Sequence, residues 1–401
     1  MAVQEYQAPE SVSRLQQRAL LVGGVALVVS ILGAVRSPGD FYQSYLMSFL
    51  LILGLTVGSL GLVMLQHLTS GHWGIIIRRP LESASRTLPL LAIAFLPIVL
   101  FGMHYLYSGH NDEKGWLNAP PTGEGALSDF QKNYLTTSGF YARAAIYFVV
   151  WLALMFIFNI LSKQQDANPE DRALRLRFKM LAGPGIILYV FAMSFAAIDW
   201  AMSLSPHWAS TIYGFLFVAG QLISSMSLMI AVVVLLARSE PFASVLQKRH
   251  LHDLGKLLLA FVMLWAYFDF SQLLIIWSGN QPEEISFYRT RLYGGWGVVA
   301  VIVLVFHFFV PFFLLLSQDV KRNARVLPRI AIWLIFMRLV DLFWMTRPEF
   351  TSRAVPTWLD VVLPLALGGL WLGFFAFNLK QCPLLPLGDP DLAGAIEHHE
   401  H

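Results

Sequence analysis

Ten long apolar segments run through this 401-residue chain, and a handful of ionisable side chains sit inside them. A bilayer core about 30 Å thick takes roughly 20 apolar residues of helix to cross. The segments are 17–35, 41–68, 87–108, 139–162, 179–203, 209–237, 252–278, 294–317, 328–347 and 357–380. They predict an all-α integral membrane protein, a single polytopic domain over 1–401 with ten transmembrane helices. Only 13% of the residues are charged, against about 25% in soluble domains. The first segment ends Gly33-Ala34-Val35-Arg36. No small-residue cleavage site follows it, so it reads as an uncleaved helix. Trp200, Trp208, Trp277, Trp296, Trp344 and Trp358 fall near segment ends, where amphipathic rings favour the membrane interface.

The basic residues sort by side. One side carries Arg14, Arg18, Arg78, Arg79, Arg86, Lys163, Arg172, Arg175, Arg177, Lys179, Arg238, Lys248, Arg249, Lys256, Lys321, Arg322, Arg325, Arg329 and Lys380. The other carries Arg36, Lys114, Lys132, Arg289, Arg291, Arg347 and Arg353, while Arg143 and Arg338 lie inside helices. That bias of 19 to 7 predicts both termini in the cytoplasm. The loop 109–138, with Asp112, Glu113, Glu124 and Asp129, then faces outward. Loops of such length tend to be functional or to dock a partner.

A weak internal echo suggests duplication. Asp199 is followed by Pro206 and Trp208, and Asp341 by Pro348 and Phe350, at the same spacing. Both runs close a helix at its outward end. Helices two to five and six to nine would form two four-helix bundles of the same sense, flanked by helices one and ten. Parallel repeats of this kind occur in membrane folds, though so short a match is a hypothesis only.

Ionisable groups inside a membrane are costly and mark pathways, sites or buried pairs. Counting along the segments puts Asp269, His307, Arg338 and Asp341 near mid-membrane, and Asp199, His104 and Arg143 toward the outer face. Arg338 and Asp341 are three apart and share a helix face. They are either an ion pair that fixes packing or part of a proton relay or charged gate. Asp269 could carry protons, or sit as an acid hydrogen-bonded nearby, with Gln272 one turn away. His307 could relay protons, ligate haem, bind a quinone oxygen or simply pack. Pro311, four residues on, releases its carbonyl from the usual helical bond.

Several classes lose support. The lone cysteine, Cys382, rules out an intrachain disulfide and a four-cysteine iron–sulfur site. No Gly-rich nucleotide loop is present, which disfavours an ATP-driven pump. No segment carries two histidines, which disfavours a b-type cytochrome. Nothing points to nucleic acid. The stretch Arg78-Arg79-Pro80 reads as interfacial, with anionic lipid headgroups as its plainest partner. The run Glu397-His398-His399-Glu400-His401 has metal-like composition but reads as a tail.

Three stretches carry a family resemblance. They are Phe195-Ala196-Ala197-Ile198-Asp199-Trp200-Ala201-Met202-Ser203-Leu204-Ser205-Pro206-His207-Trp208-Ala209-Ser210-Thr211-Ile212-Tyr213-Gly214, His252-Asp253-Leu254-Gly255-Lys256 with 261–272 and Trp277-Ser278-Gly279-Asn280-Gln281-Pro282-Glu283-Glu284, and His67-Leu68-Thr69-Ser70-Gly71-His72-Trp73-Gly74 through Arg78-Arg79. Together they resemble the F subunit, often labelled quinone-binding subunit 2, of bacterial alternative complex III, related to polysulfide-reductase-type membrane subunits. The resemblance covers about 60–350. It implies a plasma-membrane subunit of a quinol:cytochrome c (or equivalent acceptor) oxidoreductase, without a redox centre of its own. Iron–sulfur clusters and haem c would sit on partners: an iron–sulfur B subunit, c-haem subunits and a sister quinone-binding C subunit. It also implies proton half-channels within the bundles, with quinol or quinone as a candidate ligand at no identified residue. The competing class is a secondary transporter, which matched Gly/Pro breaks in the two halves would favour.

Overall fold

The structure, a computed structural model, describes residues 6–109, 115–123, 125–169 and 171–397. Ten main helices follow one another: α1 Glu10–Arg36, α2 Pro38–Thr69, α3 Arg78–Tyr107, α4 Thr137–Ala167, α5 Ala173–Leu204, α6 Tyr213–Leu236, α7 Lys248–Gly279, α8 Trp296–Leu316, α9 Leu327–Thr346 and α10 Leu359–Leu379. No strand occurs among the described residues. Nine of the helices there are long and apolar enough to cross a membrane, which makes this a multi-pass membrane protein. The other, α9, has similar length but carries Arg329, Arg338 and Asp341.

Several helices outrun their apolar segments. α1 begins at Glu10, α3 at Arg78 and α7 at Lys248. Hydropathy marks the bilayer-matched part of a helix, while backbone hydrogen bonding continues into polar turns. α3 is interrupted twice, by a turn at Arg86–Thr87 and by a π-helical stretch Ile98–Gly102 after Pro97. α8 contains a second π-helical stretch, Leu304–Phe309, just before Pro311.

The apolar stretch of α2 is wholly buried by protein, whereas only 22% of that of α8 is. α2 packs on α6, and α6 also packs on α5, α7 and α9. Small residues allow the close α2–α6 approach. A Cβ on Gly58 would lie 2.6 Å from the Gln221 carbonyl oxygen. Ser225 Oγ donates across the gap to the carbonyls of Gly54 at 3.1 Å and Leu55 at 3.0 Å. Such contacts replace the hydrophobic drive that lipid removes. α1 lies along α10 in the same way, where a Cβ on Gly23 would come within 2.6 Å of Leu370 N.

Both termini lie at one end of the molecule, since Leu384 N–H donates to the Tyr6 carbonyl at 2.8 Å. From there the chain crosses the helix ends as a strap. Asp389 pairs with Arg78 at 2.7 Å and Asp391 with Arg175 at 2.5 Å. The Ala395 carbonyl meets Arg249 and His250 of α7. Of the expected histidine-rich tail, only Glu397 is among the described residues.

The other end is closed by aromatic packing. Of the six tryptophans expected at the interface, Trp200, Trp208, Trp296 and Trp344 are buried, while Trp277 and Trp358 are exposed. The interfacial expectation therefore fails for four of these six rings. They fill spaces between helices, where a large ring replaces several small side chains. In the connection 109–138, Asp112, Glu113 and Glu124 lie outside the described residues. The described part folds back on the helices: Trp116 packs on Tyr107, and Gln131 donates to the Pro206 carbonyl at 2.7 Å.

Candidate functional site

The interior polar residues fall into three groups. The first joins α4 to α5. Arg143 grips Asp199 with two parallel bonds, Nε to Oδ2 at 2.8 Å and Nη2 to Oδ1 at 2.9 Å. Tyr147 Oη donates to the same carboxylate at 2.7 Å. The guanidinium also donates to the Tyr134 carbonyl and lies 3.9 Å from that ring's centre. Burial, and then the Asp199 charge, push the Tyr134 hydroxyl up to about 12, so it stays protonated. Asp199 is fully buried, and its acceptors are occupied. This is a bidentate clamp between two helices.

The second group lies where α6, α7, α8 and α9 meet. Arg338 pairs with Asp341 on α9, both side chains being almost fully buried. Gly220 of α6 makes room, because a Cβ there would overlap the Arg338 guanidinium. Phe217 stands under that guanidinium at 5.4 Å. Trp265 of α7 is within reach of Asp341 and meets the His307 ring edge-to-face at 4.6 Å. His307 has no exposed surface, and neither of its ring nitrogens has a hydrogen-bond partner among the described residues. Buried polar atoms are rarely left so, and a water is the usual group that satisfies them.

Asp269 is half-buried on α7, within electrostatic reach of Asp341. The expected bond from Gln272 is absent. Its amide oxygen accepts from Ser210 at 3.0 Å and its nitrogen donates to Tyr288 at 3.3 Å. Asp269 therefore keeps no hydrogen-bond partner among the described residues. His104, by contrast, is exposed; its Nδ1 is 2.9 Å from Ser108 Oγ, and its ring meets Tyr105 edge-on at 5.8 Å. The seven candidates thus divide into a clamp (Arg143, Asp199), a cluster (Asp269, His307, Arg338, Asp341) and one outlier, His104. The two π-helical stretches lie in the third and eighth spans, so they do not match across the proposed repeat.

The third group was not expected. Arg78 and Arg79 are not at a lipid surface; both are buried. Arg78 pairs with Glu82 at 3.0 Å and Asp389 at 2.7 Å, and reaches Gln165 at 2.7 Å. Arg79 pairs with Glu82 at 2.8 Å and with Asp166. Ser162 donates to Glu82 at 2.7 Å. The lipid-headgroup expectation for this pair is overturned, because carboxylates from three segments neutralise both guanidiniums inside the protein. The spacing Arg78, Arg79, Glu82 carried the signal, being i, i+4 and i, i+3 on one helix face. At the opposite end Arg347 bridges Asp40 at 3.7 Å and Asp360 at 3.5 Å, and Arg291 meets Glu349 at 2.7 Å.

No protein-family model matches this chain, and no curated protein matches it.

Proposed function

We propose that this chain is an integral subunit of a quinol-oxidising membrane complex of the alternative complex III type, with no redox centre of its own. The motif resemblance across about 60–350 supports the family assignment. In this reading ten helices span a bacterial plasma membrane as two four-helix bundles, α2–α5 and α6–α9, with α1 and α10 outside and both termini cytoplasmic. Within the groups α6 packs on α7 and α9, and α2 on α3 and α5, while α2 and α5 meet α6 where the two groups would join. Iron–sulfur, c-haem and sister quinone-binding subunits would surround it.

One observation carries the proton-conducting part of the proposal. His307 is buried without a protein partner for either nitrogen, beside the Arg338–Asp341 pair and near an unpartnered Asp269. Three helices bring these exchangeable groups near one another, His307, Arg338 and Asp341 buried and Asp269 half-buried. Arg338 neutralises Asp341, which leaves Asp269 and His307 as the proton carriers. Asp199, held by Arg143 and Tyr147, would keep the first bundle closed.

Purification from native membranes tests the partnership. Co-migrating subunits with haem absorbance and iron–sulfur signals are expected, and an active, colourless, solitary chain would refute it. Reporter fusions at the C-terminus and at Gly123 should read opposite sides of the membrane. Proton translocation coupled to quinol oxidation should fall in Asp269→Asn and be lost when His307→Phe is added; full coupling in the double variant would sink the path.

A further inference from the structure

A polar cavity opens at the end that holds the termini, apart from the cluster above. It measures about 380 Å³ and lies between α3, α4 and the turn after α10. Arg79, Arg86, Lys163, Glu82, Asp166 and Cys382 line it. Three cations therefore face two carboxylates. Both carboxylates pair with Arg79, and Glu82 pairs with Arg78 as well. Arg86 and Lys163 have no carboxylate partner among the described residues. Arg86 reaches only the Glu82 carbonyl at 3.4 Å and Cys382 Sγ at 3.2 Å. Arg79 also keeps its buried Nε–H without a partner.

The level of the cavity matters as much as its charge. Arg86 stands just before the uncharged run 87–107 of α3, and Lys163 just after the uncharged run 144–162 of α4. Cys382 follows the end of α10. All three walls meet where the apolar stretches stop, which is the plane of phospholipid phosphates. Basic pockets between helices at that plane bind anionic head groups. We propose that this cavity binds a phosphate-bearing anion through Arg86 and Lys163, with Arg79 behind them already paired to Glu82 and Asp166. Its depth favours the head group of an anionic membrane phospholipid as the source. The inference is independent of the quinol reading.

Cys382 is the chain's single cysteine and is half-buried in the cavity wall, so its alkylation reports occupancy. The full-length protein, with any subunits it retains, is delipidated in neutral detergent and labelled with a maleimide, the Cys382 peptide being followed by mass. Phosphatidylglycerol should slow labelling, while phosphatidylcholine, which carries its own cation, should not. Slowing by inorganic phosphate at equal concentration would assign the same site to a soluble anion. Arg86→Gln with Lys163→Gln should raise the half-protecting concentration roughly 25-fold, at about fivefold per basic residue. Failure of phosphatidylglycerol and phosphate alike to protect the wild type would overturn the proposal. So would equal protection by phosphatidylcholine, or undiminished protection in the double variant. The wild-type comparison stands even if that variant folds poorly.

Discussion

Asp199 and Asp341 occupy matching places in the sequence echo, yet they are held in different ways. Asp199 accepts two bonds from Arg143 on another helix and a third from Tyr147. Asp341 is paired by Arg338 of its own helix, three residues earlier. The first arrangement ties α4 to α5. The second takes no charged partner from another helix, although Phe217 and Gly220 of α6 pack on its guanidinium, and Trp265, His307 and Asp269 stand by it on two further helices. A buried acid that bridges helices is bound into the fold. A buried acid neutralised within its own helix leaves its neighbours free for chemistry.

The sharpest test removes one partner at a time. Asp199→Ala and Asp341→Ala should each destabilise the protein by about 3–5 kcal/mol, because each strands a guanidinium. Thermal unfolding in detergent would read both. The contrast appears when each pair is replaced whole. Arg338→Met with Asp341→Leu should regain most of that loss, since apolar groups of similar volume substitute well for a buried pair. Arg143→Met with Asp199→Leu should regain much less, since Tyr147 is left without its acceptor. Equal recovery in the two doubles would erase the distinction.

Gly220→Ala comes next. Its Cβ would overlap the Arg338 guanidinium, and forcing that shift should cost about 1–3 kcal/mol. His307→Phe should change stability by no more than about 1 kcal/mol in either direction, because the unpartnered nitrogens contribute little to holding the fold. A loss as large as that of Asp199→Ala would mean that His307 is structural. The smallest effect belongs to His104→Ala, within about 0.5 kcal/mol, as for an exposed residue away from any network.

The helices were legible in the sequence because apolar runs of bilayer length have few other uses. The Arg338–Asp341 pair was legible too, since both partners lie on one helix at i, i+3. Asp199 and Arg143 were separately visible as interior charges, but their pairing was not, because nothing in the sequence fixes which of several neighbouring helices faces which. The same holds for Arg347 with Asp360. Arg78 and Arg79 misled for a different reason. A basic pair beside proline looks interfacial, and the acids that bury it come from Asp166 and Asp389, far along the chain. Four tryptophans near helix ends misled likewise, since position along a helix says nothing about which way a ring points.

Arg78 meets Asp389 across 311 residues of sequence. During synthesis the arginine is in place long before its acid leaves the ribosome. Until then Glu82 and Asp166 already match the Arg78–Arg79 pair in charge, and what is missing is the specific acceptor for Arg78 Nη1. A chain that ends before 389 would therefore lack the one acceptor that Arg78 Nη1 finds in the folded protein, with no net charge left over in the group. The last contact of this group to form is thus the one between its two most distant parts of the chain.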